Sequence, residues 1–256
     1  MPEEVTCSIA VVCEADADCR AATLLSDRVL RETVAWISIE TLPYLRRYRG
    51  LGDQDSYLKC SSVKELARRR RVFVHGFVGG APREPDAAMA ERALVLLATS
   101  EGPPGAVILT RDTDKERRRR EGYEQARGAQ SWPFAVVVGV AETKRECWIL
   151  AGYEPRNDGE RELVARERRE LGFDPLSRAE LLTASEDGAT RDAKRVLAAL
   201  TGGDTEREDA GLEERPLAVL RERGAGSGLA AYLREIEERL VPLFDQGANR
   251  GAGPEG

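Results

Sequence analysis

The chain has 256 residues, enough for one large domain or two small ones with a substantial apolar core. Its 41% hydrophobic and 33% charged residues read as a globular, helix-rich protein with a heavily charged surface, and no run approaches the ~18 to 20 apolar residues of a membrane span. A net charge of -6 excludes a general electrostatic grip on nucleic acid, so any contact with a polyanion must come through local basic clusters.

The N-terminus, Met1 to Thr6, is acidic and lacks the basic start of a signal peptide, so a cytoplasmic location is expected. Ser8 to Cys13 is a short apolar run with β-branched residues that predicts a strand ending at Glu14, followed by a helix from about Cys19 to Val34. Leu42 to Ser62, rich in Tyr, Arg and Gly, reads as an irregular insertion. Arg71 to Phe77 predicts a strand, and Asp86 to Ala98 a helix with Met89, Ala93, Leu94 and Leu97 on one face. After the breaker Gly102-Pro103-Pro104-Gly105 comes a strand over Ala106 to Thr110 and a polar helix over Thr113 to Arg127. A third core strand, Phe134 to Val140, leads to a short buried helix at Cys147 to Ala151. Continuous rather than alternating hydrophobicity in the core strands predicts a mostly parallel sheet flanked by helices.

Beyond about residue 155 the strand signals stop and charged helices take over, at Asp158 to Leu171, Asp192 to Leu200 and Gly228 to Phe244. The expected organisation is an α/β core over 1-155, a helical C-terminal extension over 156-244 and a disordered Gly-rich tail over 245-256. Thr201 to Arg207 reads as a loop. Leu229, Leu233, Ile236, Leu240 and Leu243 form a stripe expected to pack on the protein's own core.

Five cysteines (Cys7, Cys13, Cys19, Cys60 and Cys147) are an odd set without a C-x-x-C pair, expected as reduced and mostly buried thiols. With His75 the single histidine, a zinc site lacks its ligands, and oxygen donors are what remain. In a parallel sheet the strand C-termini share one edge, where residues distant in sequence can meet. Glu14 follows the first strand, Asp112 and Asp114 the second, and Glu142 the third. Facing carboxylates repel unless a cation neutralises them, and an all-oxygen set selects Mg²⁺ or Mn²⁺. Taken singly, the same acids have an ordinary reading as helix caps, Asp112 for the second helix and Asp16 or Asp18 for the first.

Val11-Val12-Cys13-Glu14-Ala15-Asp16-Ala17-Asp18 resembles the opening motif of Toprim domains, a hydrophobic strand ending in Glu, usually Gly, then an Asp a few residues on. Ile108 to Asp114 resembles their second motif, Asp-x-Asp after a strand. Ala141-Glu142 and Glu146-Cys147-Trp148-Ile149-Leu150-Ala151 look more narrowly like a Toprim-like family encoded beside ABC-type ATPases, of the overcoming-lysogenization-defect kind, in bacterial defence loci, where Glu-Ala-Trp-Leu-Leu-Ala is typical. The resemblance covers roughly residues 8 to 155. It implies a Toprim-like fold, Glu14 as general acid/base, Asp112 and Asp114 with Glu14 as Mg²⁺ ligands, and an ABC-type or AAA-type ATPase as partner; Asp18 and Glu142 complete the candidate catalytic set. The sequence departs from the motif at Ala15, where the usual residue is Gly.

Three arginine islands stand out: Arg46, Arg47 and Arg49, then Arg68 to Arg71, then Arg117 to Arg120. Arg68, Arg70, Arg71, Arg117 and Arg118 are candidates for nucleic-acid contact. Arg117 to Arg120 also has an ordinary reading, since Asp114 to Arg118, Glu116 to Arg120 and Arg117 to Glu121 are i,i+4 pairs on the expected helix. His75 reads as a strand residue with a local hydrogen bond. The functional expectation is a Mg²⁺-dependent nuclease acting on DNA or RNA as the effector of an antiphage system with an ATPase. The alternative is a non-catalytic Toprim-like binding or regulatory subunit of such a complex; primase-type nucleotidyl transfer has no base- or ribose-reading motif behind it.

Overall fold

The apolar run Cys7–Cys13 forms strand β1, buried at every position but Ser8, as a strand covered on both faces requires. A computed structural model describes residues 7–78, 81–114 and 116–245; the acidic stretch Met1 to Thr6 and the Gly-rich tail beyond Asp245 lie outside the described residues. After β1 come α1 (Asp16–Thr33), α2 (Leu42–Leu45), β2 (Arg46–Arg49), β3 (Leu58–Lys59), α3 (Cys60–Arg69) and the short antiparallel pair β4 (Phe77–Val78) and β5 (Ala81–Pro82). Then follow α4 (Ala87–Ala98), β6 (Ala106–Asp112), α5 (Arg119–Gly128) and β7 (Ala135–Ala141). The rest of the described chain is helical: α6 (Glu146–Gly152), α7 (Asp158–Leu171), α8 (Ala193–Thr201), α9 (Thr205–Glu214), α10 (Leu217–Arg223), α11 (Leu229–Arg239) and α12 (Val241–Asp245).

The main sheet has the order β2-β1-β6-β7, with β3 also on β1. Strand β1 runs parallel to β2, β3 and β6, and Val12 lies opposite Leu109. This is the expected α/β architecture with a mostly parallel sheet, and its cause is local: after β1 and after β6 a helix intervenes before the chain returns to the sheet. No helix among the described residues is long and apolar enough to cross a membrane.

The chain divides into two compact units. The first comprises the described residues of Met1–Thr110, Arg118–Gly139 and Arg234–Gly256, and the second Arg111–Arg117 and Val140–Leu233. In the first, α4 and α5 approach so closely that a Cβ on Gly122 would stand 1.8 Å from the Pro85 carbonyl oxygen. Strand β2 bears Arg46, Arg47 and Arg49, and at the opposite border of the sheet the Val138 N–H of β7 donates to Glu235 Oε2 at 3.2 Å. Arg127 holds that carboxylate in place at 2.7 Å. In the second unit α6 is buried along its whole length, including Trp148, Ile149 and Leu150, and so forms the hub on which α8, α9 and α10 pack. Helix α9 can reach it because Gly152 and Gly211 meet backbone to backbone; a Cβ on Gly152 would lie 2.5 Å from the Gly211 oxygen.

Several expectations give way. Residues 42–62 are not an irregular insertion but contribute α2, β2, β3 and the start of α3, with Cys7↔Arg46 to Ala10↔Arg49 in parallel register. The arginines disguised β2 because its charged side chains find partners: Asp27 takes Arg46 in a two-bonded fork, and Arg49 reaches Ser8 Oγ at 2.7 Å and the Gly102 carbonyl. The predicted strand over Arg71 to Phe77 is not formed: only Phe77 belongs to a strand, Arg71 is a turn residue and Gly76 a bend. Helix α1 starts at Asp16 rather than Cys19, and α5 at Arg119 rather than Thr113. The expected loop at Thr201 to Arg207 is interrupted by α9, capped by Asp204, whose carboxylate accepts the Glu206 and Arg207 N–H groups. The last predicted helix is split into α11 and α12 because Pro242 cannot continue a helix across its preceding turn. Its stripe is buried at Leu229, Leu233, Ile236 and Leu240, and only Leu243 is exposed.

Candidate functional site

In the second unit, the ends of β6 and β7 are stapled together through residues 112–114 and 141–145. The Thr113 N–H donates to the Ala141 oxygen at 2.8 Å and the Asp114 N–H to the Thr143 oxygen at 3.0 Å; in return the Thr143 N–H donates to Thr113 Oγ1 at 2.8 Å. Asp112 Oδ1 accepts the Arg145 N–H at 2.8 Å. These bonds hold Asp114 and Thr143 at left-handed φ angles of 46° and 67°, a conformation that costs of order 1 kcal/mol or more for residues other than glycine and persists where the surroundings over-determine it. The result is a fixed turn with Asp114 exposed, Asp112 and Glu142 half-buried and Thr113 buried.

The segment after β7 is pinned from below. Glu142 N–H and Trp148 Nε1 both donate to the Ser227 carbonyl, at 2.9 and 2.8 Å, and Trp148 stacks on Tyr232 with ring centroids 5.0 Å apart. Lys144 Nζ meets Asp192 Oδ1 at 2.7 Å in a buried ion pair. Burial opposes the charge on Asp192, yet the Lys144 bond and the N–H groups of Gly188 and Lys194 outweigh it and hold its carboxyl below the usual range. Burial likewise works against Lys144, and the facing Asp192, with Glu146 and Asp187 nearby, lifts its pKa above that of a free lysine. Glu146, buried at the first turn of α6, takes Arg145 Nη2 on Oε1 at 3.0 Å, while its buried Oε2 has no hydrogen-bond partner among the described residues. The sequence reading missed the Lys144–Asp192 pair and the Thr113–Thr143 staple, because each joins positions whose spacing carries no periodic signal.

In the first unit, Glu14 lies half-buried just past β1, and Asp18 sits in the first turn of α1. Asp18 Oδ2 accepts the Ala15 N–H at 3.1 Å while the Asp18 N–H donates back to the Ala15 oxygen. Asp18 therefore serves as a helix-start residue, which is also why α1 begins before Cys19. Ala15 has φ -143° and ψ 164°, extended backbone open to any residue, so alanine in place of the motif glycine imposes no strain here. Beneath this turn Cys13 and Cys19 are buried with hydrogen-bonded thiols, and that bond, together with burial, pushes the Cys13 thiol up. Cys7 and Cys147 are raised by burial to about 11 and about 12, and all five cysteines are free and buried, as expected.

The arginine candidates separate. Arg68 and Arg69 both bond Glu65 at 2.9 Å on the exposed side of α3, and Arg70 and Arg71 are exposed. Arg118 pairs with Glu84 and Arg119 with Asp86, at 2.5 Å for the latter, while Arg117 is exposed. Because α5 starts only at Arg119, Asp114, Glu116 and Arg117 lie before the helix rather than on it, and Arg118 and Arg119 tie its start to the residues that lead into α4. His75 is exposed and lies outside any strand, with its carbonyl accepting from Arg83.

The structure thus gathers Asp112, Asp114 and Glu142 around one stapled turn of the second unit, while Glu14 and Asp18 belong to the first. The donors are all oxygens, the chemistry of a hard cation. Among the described residues no group of three or more His, Cys, Asp or Glu side chains is already drawn together as a metal site. No family model, curated protein or solved structure matches the chain.

Proposed function

We propose that this chain is a Toprim-like, Mg²⁺-dependent nuclease that acts as the effector of a bacterial defence system together with an ABC-type or AAA-type ATPase. The observation that supports it best is the stapled Asp112-Thr113-Asp114 turn. It ends a strand that runs parallel to β1, and β1 is itself followed by Glu14. Acids fixed at the carboxyl ends of parallel strands are where α/β sheets carry their chemistry, and Asp114 is held outward in a backbone conformation that the fold maintains at a cost. In this reading Glu14 is the general acid/base, with Asp18 and Glu142 assisting.

The test is to incubate the full chain, with and without the product of the adjacent ATPase gene, with plasmid DNA and with tRNA across a Mg²⁺ and Mn²⁺ titration. Cleavage is expected in the wild type and lost in Glu14→Ala and Asp112→Ala. Equal cleavage in all three removes the assigned roles.

A second reading, a non-catalytic subunit that holds or regulates the ATPase, draws on a specific observation: Asp112 and Asp18 both spend carboxylate oxygens on backbone N–H groups, a structural occupation. It predicts a stable complex through the C-terminal helices and no Mg²⁺-dependent thermal shift. A shift at millimolar Mg²⁺ that disappears in Asp114→Asn counts against it.

A further inference from the structure

Helix α3 ends in an unusual way. The Val72 N–H donates to the Ala67 oxygen at 2.8 Å and the Arg71 N–H to the Arg68 oxygen at 3.2 Å, the paired bonds of a Schellman stop. The residue that must then adopt a left-handed conformation is normally glycine; here it is Arg71, at φ 55°. A charged side chain is thus kept at a position where glycine is favoured, and the chain is turned out of the helix into the segment that leads to β4. Along that segment Val72 and Val74 are half-buried while Phe73, His75 and Phe77 are exposed. Phe73 is 86% and Phe77 64% exposed, so two aromatic rings four residues apart in the chain both face water.

The surroundings are basic. On the adjoining α3, Lys64 and Arg68 to Arg71 are exposed against a single acid, Glu65, which Arg68 and Arg69 share. Arg70 also lines a groove with Tyr57, Lys59 and Ser62, in which Asp55 is the acidic member. Solvent-exposed rings that follow a run of exposed arginines along the chain, in a protein whose net charge is -6, match one class of partner: a polyanion that also offers flat faces. Single-stranded nucleic acid has both, whereas a duplex keeps its base faces stacked inside.

We propose that the Arg68 to Phe77 segment is a binding site for single-stranded nucleic acid, with Phe73 and Phe77 stacking on bases and Arg70 and Arg71 tracking the backbone. This deepens the proposed function by naming the form of polymer the protein engages, and it is tested without hydrolysis. Fluorescence anisotropy is measured on the full chain in EDTA, with a labelled mixed-sequence single strand as DNA and as RNA and with the matching duplexes, at low and moderate salt.

The wild type is expected to prefer single strands to duplexes by at least about tenfold. Phe73→Ala combined with Phe77→Ala should weaken single-strand binding by roughly tenfold or more, in line with the loss of two stacking contacts; both rings are exposed, so folding is not at stake. Phe73→Leu with Phe77→Leu, which keeps apolar bulk but no ring, should weaken it similarly. Arg70→Gln with Arg71→Gly should reduce the salt dependence by about one to two in logarithmic slope. Equal affinity for single strands and duplexes, or an alanine pair that binds like wild type, overturns the site. So does a concentration-dependent dimer in sedimentation that the alanine pair abolishes while oligonucleotides stay unbound, which assigns the patch to a second copy of the chain. Single-strand binding that persists in a protein unable to cleave sinks the nuclease reading alone; cleavage with binding unaffected by the phenylalanine changes sinks this inference alone.

Discussion

The two acidic turns of this protein look alike in sequence and are built differently. After β1, Asp18 is held by its own neighbourhood: its carboxylate takes the N–H of Ala15, three residues back, and the turn is the start of a helix. After β6, the Asp112 turn is held by residues some thirty positions away, through Thr143 and Arg145, and the segment bearing those residues is in turn fixed by Ser227 and Asp192. A short strand followed by an acid says only that one of these will form. The partner decides whether the acid is a cap or part of a framework that displays its neighbours.

That contrast can be broken from its most consequential point outward. Asp192→Ala strands the buried Lys144 charge and is expected to lower stability by about 3 kcal/mol or more, read as the urea midpoint at neutral pH. The sign with pH follows from the directions given above. Asp192 has a depressed pKa, so its contribution is present above the unfolded carboxylate value of about 3.9 and is lost as pH falls through the lower folded value. Lys144 has a raised pKa, so its contribution is present below about 10.4 and fades as pH rises past the folded value. The gap between wild type and Asp192→Ala should therefore be widest near neutrality and narrow in acid. A gap that widens below pH 4 contradicts the pairing.

Thr113→Val removes the acceptor for the Thr143 N–H while preserving shape, and is expected to cost about 1 to 3 kcal/mol, with Thr113→Ser recovering most of it. Hydrogen exchange at the Thr143 amide tests the same point directly: it should accelerate in the valine variant and not in the serine one. In the first unit, Asp18→Ala should cost about 1 kcal/mol, with Asp18→Asn closer to wild type; a loss as large as that of Asp192→Ala would show that the β1 turn too has a long-range anchor. At the small end, Glu65→Gln on the exposed side of α3 should leave the urea midpoint unchanged, because exposed ion pairs contribute little.

What could be read in advance follows the same division. Strands β1, β6 and β7 were legible because unbroken apolar runs admit few alternatives, and α7 was legible to its ends because Asn157 caps it and Gly172 stops it. Strand β2 was hidden, since Arg-Arg-Tyr-Arg has no apolar face until Asp27 is known to receive Arg46 and Tyr48. The Arg71 to Phe77 segment misled in the opposite sense: it reads as a strand, and the structure places only Phe77 in one and leaves both its rings exposed. Helices α9 and α10 were not among the predicted elements; α9 lies against α6 through Gly211, a contact between backbones that no residue pattern announces. For the candidate site, the acids themselves were visible, but in the staple that fixes Asp112 and Asp114 every donor is a backbone N–H, and such donors leave no mark in residue types.

The borders of the main sheet carry one last consequence. An open strand offers a row of donors and acceptors to any extended chain that drifts past. Here the guanidinium groups of Arg46 and Arg49 on β2 are already bonded to Asp27, Ser8 and Gly102, and β7 has Val138 engaged by a glutamate braced by Arg127. Glu235 thereby occupies one donor of an outer strand that an added chain would need, besides receiving Arg127.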